Sequence, residues 1–177
     1  MMEWKSRFPQ DQNGRWCDVS TLKFNRWQDL NGVTRNAVLQ VVSSEYNTTT
    51  TVSSTSYADS GLLGSITPTS ATSKILVIIS QNLALNRNSS DIGGNFRILR
   101  DSTTVKDYLQ IFRARATGAT AVSNQVEMGF VYLDSPSTTN QVTYKSQISA
   151  TTTANNGQIV AQFANSISTI TLMEIAQ

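Results

Sequence analysis

A charged stretch near the middle of the chain, residues 97–112 (RILRDSTTVKDYLQIF), holds the side chains best suited to chemistry. Asp101 and Asp107 are six positions apart. Two carboxylates within roughly 5–10 Å of each other in a cleft can hydrolyse a glycosidic bond. Apolar and polar residues alternate on both sides of a polar turn, however, and this pattern is typical of a β-hairpin. The two acids therefore fit either an active site or a turn and a solvated strand.

The rest of the sequence favours the structural interpretation. The chain contains no histidine, which removes His-activated Ser or Cys nucleophiles and every His-based metal site. No second acid cluster supports Asp101 and Asp107, and Asp is a common turn residue. We expect Arg97, Arg113 and Arg115 to form cross-strand or interchain pairs. The sequence predicts no enzyme, no catalytic residue and no cofactor.

Calcium is the one ion that the loops could hold. Asp91 and Asp134 lie in polar segments beside Asn, Ser and backbone carbonyl groups. A calcium site needs six or more oxygen ligands, and no D-x-D-x-D spacing occurs in the chain. The sequence therefore predicts no metal site, although it leaves calcium open.

Composition favours β-strands and argues against binding to nucleic acid and against insertion into a membrane. The 177 residues carry a formal net charge of +2, and only 15% of them are charged, so no polyanion such as nucleic acid is expected. Ser and Thr are abundant, which suits half-buried strands. Cys17 is the single cysteine, so no disulfide can form within the chain. We find no signal peptide, and the longest apolar run, residues 75–79, is too short to cross a bilayer.

Strand patterns with turns every 8–12 residues fill the chain from Ala37 onward. We predict an all-β fold, an antiparallel β-sandwich of jelly-roll type, over residues 37–177. The run at 75–79 fits a central strand covered on both faces or a strand at a subunit interface. The candidates for the core or for a subunit interface are Ile75, Val77, Ile79, Phe130, Tyr132 and Tyr144.

Residues 1–36 differ in composition from the rest of the chain and predict an irregular N-terminal arm. They contain all three tryptophans, and turn signals interrupt them without sustained helical spacing. Trp and Arg dominate interface hot spots, so we expect the arm to dock on a partner. Packing beneath the β-domain as a small core is the alternative. The predicted docking residues are Trp4, Phe8, Arg15, Trp16, Phe24, Arg26 and Trp27.

Five sequence segments resemble a β-domain of tail-fibre and other virion structural proteins of tailed bacteriophages. The resemblance is strongest to phages that infect cyanobacteria and other aquatic bacteria. The segments are AVLQVV, TSYADSGLLGSITPTSATSKILVIIS, RILRDST, YLDSPSTTNQVTYK and STITLMEIA, in that order. The resemblance covers roughly residues 37–177. It implies a non-enzymatic domain that assembles as a homotrimer in the virion, after synthesis in the cytoplasm of the bacterial host.

The resemblance also orders the functional hypotheses. The first is a short tail fibre or baseplate-attached trimer, anchored to other virion proteins through the arm. The second is a capsid decoration protein, and the third is a glycan-degrading enzyme, which the missing histidine and scarce acids argue against. In the first case exposed loops could contact a glycan on the host surface. The loop candidates are Asn86, Asn88, Asp91, Asn95, Asn155 and Asn156.

Overall fold

The computed structural model describes residues 27–28, 34–35, 37–115 and 121–177. The chain divides into two units, Met1–Asn36 and Ala37–Gln177. In the first unit, β1 (Trp27–Gln28) pairs antiparallel with β2 (Thr34–Arg35). Of the residues predicted to form the docking arm, Trp27 lies in β1 and the other six, Trp4, Phe8, Arg15, Trp16, Phe24 and Arg26, lie outside the described residues. The anchoring role of 1–36 and the trimerisation role of 37–177 therefore stay predictions.

The described residues of the second unit form ten strands and contain no α-helix. Alternating apolar residues and β-branched side chains favour these strands, while Pro, Asn, Ser and Gly fill the turns between them. The strands are β3 (Val38–Tyr46), β4 (Thr50–Val52), β5 (Ala58–Ile66), β6 (Lys74–Arg87), β7 (Ile92–Arg100), β8 (Thr103–Ala114), β9 (Val122–Asp134), β10 (Val142–Ala150), β11 (Gln158–Ala161) and β12 (Ser168–Ile175). Single 3₁₀ turns at Ala154–Asn156 and Phe163–Asn165 flank β11.

The strand order is that of a jelly roll. The first sheet runs β3-β12-β6-β9, and β4 and β11 extend β3 and β12 along the second half of β6. The second sheet runs β5-β10-β7-β8. With β3/β4 taken as one interrupted strand and β11/β12 as another, consecutive strands cross between the two sheets except at the β7–β8 hairpin, as in two interlocked Greek keys. The predicted antiparallel jelly-roll sandwich is therefore confirmed.

The sandwich has two distinct ends. At the proximal end Ala37 leads into β3, and the loops 67–73, 101–102 and 135–141 lie at the same end. The distal end carries the loop 88–91, the turn 151–157, the end of β8 and the start of β9. This polarity follows from the antiparallel register, because every strand that begins at one end finishes at the other.

Apolar side chains from both sheets form one core between them. Phe96 on β7 stacks on Phe130 on β9 with ring centroids 3.7 Å apart, and Tyr108 tilts against both rings. Five of the six core or interface candidates, namely Ile75, Val77, Ile79, Phe130 and Tyr144, are buried within a single chain, whereas Tyr132 is half-buried against the core.

A buried polar cluster interrupts the core where β3 and β12 give way to β4 and β11. Gln162 has a left-handed backbone (φ 51°), and its amide group accepts hydrogen bonds from Gln81 Nε2 (2.8 Å) and Ser168 Oγ (3.1 Å) in the satisfied orientation. Beside it, Ser60 and Ser146 share a hydroxyl–hydroxyl bond across the second sheet. Buried polar groups have to be paired in this way, so the cluster fixes the position of the interruption.

Two local expectations differ from the structure. The Thr and Ser residues of the stretch 48–57 favour a strand over its whole length, but only Thr50–Val52 joins the sheet. The apolar run 75–79 is covered on one face only, because Ile75, Val77 and Ile79 point into the core, whereas Leu76 is half-buried and Ile78 is exposed. The first interpretation of this run, a strand covered on both faces, is therefore wrong, and the second, a strand at a subunit interface, stays a prediction. The second difference arises because β6 belongs to one sheet of a two-layered sandwich, so only one of its faces packs against the other sheet.

Gly61 on β5 tests this packing. Its φ is +89°, and a Cβ there would lie 2.2 Å from the Tyr46 ring. Gly61→Ala should therefore lower the free energy of unfolding by about 1–3 kcal/mol, from backbone strain and overpacking. Gly129→Ala on β9 is the control, because a Cβ there meets nothing within 4 Å. Urea denaturation that gave both variants equal stability would contradict the packing described here.

Candidate interaction surfaces

The charged stretch 97–112 is the hairpin of β7 and β8. Asp101 stands in its turn with φ 52°, and Asp tolerates that left-handed conformation better than most residues. Its Oδ1 accepts a hydrogen bond from the Thr143 backbone N–H at 2.9 Å, which joins the turn to β10. The carboxylate of Asp101 therefore has a structural partner.

Asp107 lies on the outer face of the second sheet, directly across the strand pair from Arg97. The Arg97 guanidinium lies 4.2 Å from the centroid of the Tyr57 ring and donates from Nε to Gln147 Oε1 at 2.8 Å. Burial, and then the negative charge of Asp107, raise the pKa of the Tyr57 hydroxyl. These groups form a cross-strand array of the kind that stabilises a sheet.

Asp134 closes the proximal end of the sandwich. Its Oδ2 accepts from Arg100 Nη1 at 2.6 Å and from the Tyr144 hydroxyl at 2.7 Å. Burial, and then the hydrogen bond to Asp134, raise the pKa of Tyr144 far above its usual range, so the hydroxyl stays protonated and donates. One oxygen of the carboxylate that we considered for calcium thus already holds two protein donors.

Glu174 on β12 is a buried carboxylate that fastens the β5–β6 loop. Its Oε1 accepts from both the backbone N–H and the hydroxyl of Thr69 at 2.8 Å, and its Oε2 accepts from Gln40 Nε2 at 2.7 Å. Burial acts to raise the pKa of Glu174, but the hydrogen bonds from Gln40 and Thr69 outweigh it and hold the pKa below its ordinary value.

The distal end gathers most of the predicted contact loops. The Asn88 backbone N–H donates to the Asn155 carbonyl at 2.9 Å, which joins the β6–β7 loop to the 3₁₀ turn. Asn88, Asn155 and Asn156 are exposed there. Asp91 is half-buried, with one oxygen 3.6 Å from the Arg113 guanidinium.

Two of the loop candidates lie in strands instead. Asn86 is near the end of β6 and accepts from the Ser123 hydroxyl at 2.8 Å. Asn95 lies on β7, where its amide bridges Ser149 on β10 and the backbone N–H of Gln110. That second bond satisfies the backbone at a β-bulge, so Asn95 has a structural role on the outer face of the sheet.

The outer faces of the two sheets differ in chemistry. The second sheet presents a polar face, on which Asp59 pairs with Lys145 Nζ at 2.8 Å and Arg97 bonds to Gln147. The first sheet presents an apolar face without a charged side chain in its two central rows. Those rows are Val41–Met173–Leu76–Leu133 and Ser43–Thr171–Ile78–Val131, read across β3, β12, β6 and β9.

Sequence reasoning did not find the apolar face, although the signal was present. The segment FVYLD at 130–134 places Val131 and Leu133 on the face opposite Phe130 and Tyr132, so both faces of β9 carry apolar residues. The same holds for β6. A strand that is apolar on both faces indicates a surface that needs a cover, and only the strand register shows that several such strands are neighbours.

Comparisons with known proteins identify no family for this chain. No family model and no curated protein matches it. Among solved structures it is similar to a chain of the T13 particle of infectious bursal disease virus, with 11% identity, over 81% of this chain and 38% of that chain, at a TM-score of 0.41. A second is the VP2 subviral particle of the same virus (11% identity, 81% and 40% covered, TM-score 0.37).

A third similar structure is the Gx strain of that virus, with 14% identity, 82% and 39% covered and a TM-score of 0.37. The chain spans about two fifths of the length of these viral proteins. TM-scores this low do not support an assignment of fold or function. The fold is assigned from the strand order of the chain itself.

Within 37–115 and 121–177, no group of three or more Cys, Asp or Glu side chains is arranged to hold a metal ion. In the same part of the chain, no helix has the length and apolar character needed to cross a membrane.

The hydrogen bonds of Glu174 to Thr69 and Gln40, here called the Glu174 clamp, predict how the stability of the fold depends on pH. Because its folded pKa lies below the unfolded value, its contribution is present near neutral pH and is lost as the pH falls through the folded pKa. Glu174→Gln should cost about 1–3 kcal/mol at pH 7, because an amide N–H₂ would face the donor of Gln40.

Glu45→Gln is the matched control, since Glu45 is exposed on the neighbouring strand β3. Denaturant unfolding at pH 7 and at pH 3 should show a large effect of Glu174→Gln only at the higher pH. An equal loss of stability at both pH values would contradict the clamp.

Proposed function

We propose that the chain is a non-enzymatic structural protein of a virion, held at its N-terminal side and presenting its distal loops outward. This proposal rests on the two distinct ends of the sandwich. Ala37 enters β3 at the proximal end, and the exposed Asn88, Asn155 and Asn156 lie at the opposite end. A domain held at one end can present polar loops to a host surface at the other.

The acidic side chains support a non-enzymatic role. Asp101 bonds the backbone of β10, Asp134 bonds Arg100 and Tyr144, and Glu174 clamps a loop. A hydrolase needs a carboxylate that is available to substrate, with a second one at a fixed distance. Of the two acids considered for such a pair, Asp101 accepts a backbone hydrogen bond and Asp107 lies opposite Arg97 on the outer face of the sheet.

The finer assignment follows from the resemblance to tailed-phage proteins. It favours a short tail fibre or baseplate-attached protein, assembled as a homotrimer through residues 37–177. It also favours a glycan on the host surface as the ligand of the distal loops. A capsid decoration protein is the rival, and copy number separates the two: a handful of trimers per particle indicates the tail, and hundreds of chains indicate the head.

Anchoring by the first 36 residues is testable in particles. Deleting residues 1–36 should leave a folded β-domain that no longer enters virions lacking the native copy. Trp16→Ala in the full chain should weaken docking by about 2 kcal/mol or more, the usual scale for an interface hot spot. Immunoblots of purified particles measure incorporation, and a thermal melt checks folding.

Normal incorporation of the truncated protein would show that residues 1–36 are not the anchor. Loss of folding on truncation would show that their aromatic side chains belong to a core of the protein. Leu63→Lys is the control for a surface change, because Leu63 is exposed on the polar face of the β-domain. It should enter particles as the unaltered chain does.

The non-enzymatic role predicts that Asp101→Asn and Asp107→Asn leave particle infectivity largely intact. Asp101→Asn keeps an oxygen for the Thr143 N–H, and Asp107 lies exposed on an edge strand. Purified chain incubated with host envelope polysaccharide should release no reducing ends. Hydrolysis by the unaltered chain that either substitution abolished would overturn this part of the proposal.

A further inference from the structure

The apolar face of the first sheet is a continuous surface that the described domain does not cover. Its most exposed members are Val131 (60% exposed), Val41 (55%), Leu133 (46%) and Ile78 (36%). They are neighbours through the strand register, so they form one patch and not scattered contacts. Monomeric proteins rarely expose an apolar patch of more than a few hundred Å².

We propose that this face binds a second copy of the same chain. The two first sheets would stack face to face, related by a two-fold axis that lies between them and runs across the strands. In this arrangement β6 of one copy lies antiparallel over β6 of the other. Stacked sheets commonly pack in this way, with their strands within about 30° of each other.

The strand register makes the face complementary to itself under that rotation. The axis crosses β6 between Leu76 and Ile78, so Leu76 meets Ile78 of the second copy. The same operation on β9 brings Leu133 to the second copy's Val131, because Leu76 pairs with Leu133 and Ile78 with Val131. The two central rows thus cover each other, and each apolar side chain on β6 and β9 meets an apolar partner.

Charges at the two ends of the patch fit the same arrangement. Lys74 lies two residues before Leu76, and Ser80 lies two residues after Ile78. The rotation brings Lys74 over Ser80 of the second copy, whose hydroxyl donates to Glu127 Oε1 at 2.7 Å. In the part of the chain that the structure describes, Lys74 has no ion pair, so it is available for Glu127 of the second copy.

The orientation of the axis follows from these charges. An axis parallel to β6 would bring Lys74 over Lys74 of the second copy, eight residues along the strand from the level of Glu127. Like charges in contact are unfavourable and act against that register. The polar face of the second sheet is a poorer contact surface, because Asp59, Lys145 and Arg97 already satisfy one another within it or through Gln147.

This inference goes beyond the proposed function, which assigns no surface to the contacts between copies. The proposed contact between copies does not depend on whether the chain belongs to the tail or to the head of a virion. Isolated chains should associate in even numbers: two for the face contact alone, or six where trimers pair through it.

Sedimentation equilibrium of the full chain tests the proposal directly. Ile78→Lys and Val131→Lys place a charge in the middle of the patch and should raise the dissociation constant at least about tenfold, as for an interface hot spot. Leu63→Lys is the matched control, an equally apolar side chain that is 52% exposed on the opposite outer face. It should leave the association unchanged.

A charge exchange tests the antiparallel orientation. Lys74→Glu alone and Glu127→Lys alone should each weaken association by up to about fivefold, the range for exposed pairs. The double variant should return to within about twofold of the unaltered chain, because each contact then carries the same pair with its signs exchanged. A structural role of either residue would give no such recovery.

Three results would overturn the proposal. The first is a chain that stays monomeric at micromolar concentration. The second is a trimer that Ile78→Lys dissociates, which would assign the face to a three-fold contact. The third is a monomer in which Ile78→Lys lowers the melting temperature far more than Leu63→Lys, which would show that the face is covered within the chain. Even-numbered association that is lost in Ile78→Lys and kept in Leu63→Lys supports it.

Discussion

The long central strand β6 is the constraint on which both the core and the outer surface depend. It is 14 residues long and pairs with β9 along almost its whole length, while β12 and β11 share its other edge. Because side chains alternate along a strand, Ile75, Val77 and Ile79 must face the second sheet, and Leu76 and Ile78 must face outward. A shift of one residue would exchange the two sets, so the same register fixes the core and the apolar face.

The register of β6 does not fix the loops at the ends of the sandwich. Charged and amide side chains hold them in place. A sandwich needs its loops fixed to its ends, and the protein uses buried acceptors for this purpose. Glu174 holds the loop before β6, and Asp134 holds Arg100 and Tyr144 at the same end. At the interruption of the first sheet, Gln162 has the corresponding role with an uncharged amide. With few charged residues in the chain, those that are buried serve mainly to fix geometry.

The sequence allowed the sandwich to be predicted because period-two alternation and turn residues are local signals. The hairpin at 97–112 is a clear case, with Asp101 in its turn as expected. The roles of Glu174 and Gln162 could not be predicted, since their partners lie more than 60 positions away or depend on which strands are neighbours. The apolar face was hidden for the same reason: Val41, Ile78 and Val131 become one surface only through the register of β3, β12, β6 and β9.

The edges of the sandwich explain why association is expected through a face. Edge strands invite pairing with another chain unless they are blocked. At one edge the Tyr108 hydroxyl donates to the Val131 carbonyl of β9, which occupies a group that an added strand would need. Next to it, β8 carries a bulge at Gln110, where φ is 49° and the backbone N–H bonds to Asn95. With this edge irregular and its polar groups partly used, the apolar face of the first sheet is a better contact surface than the β8/β9 edge.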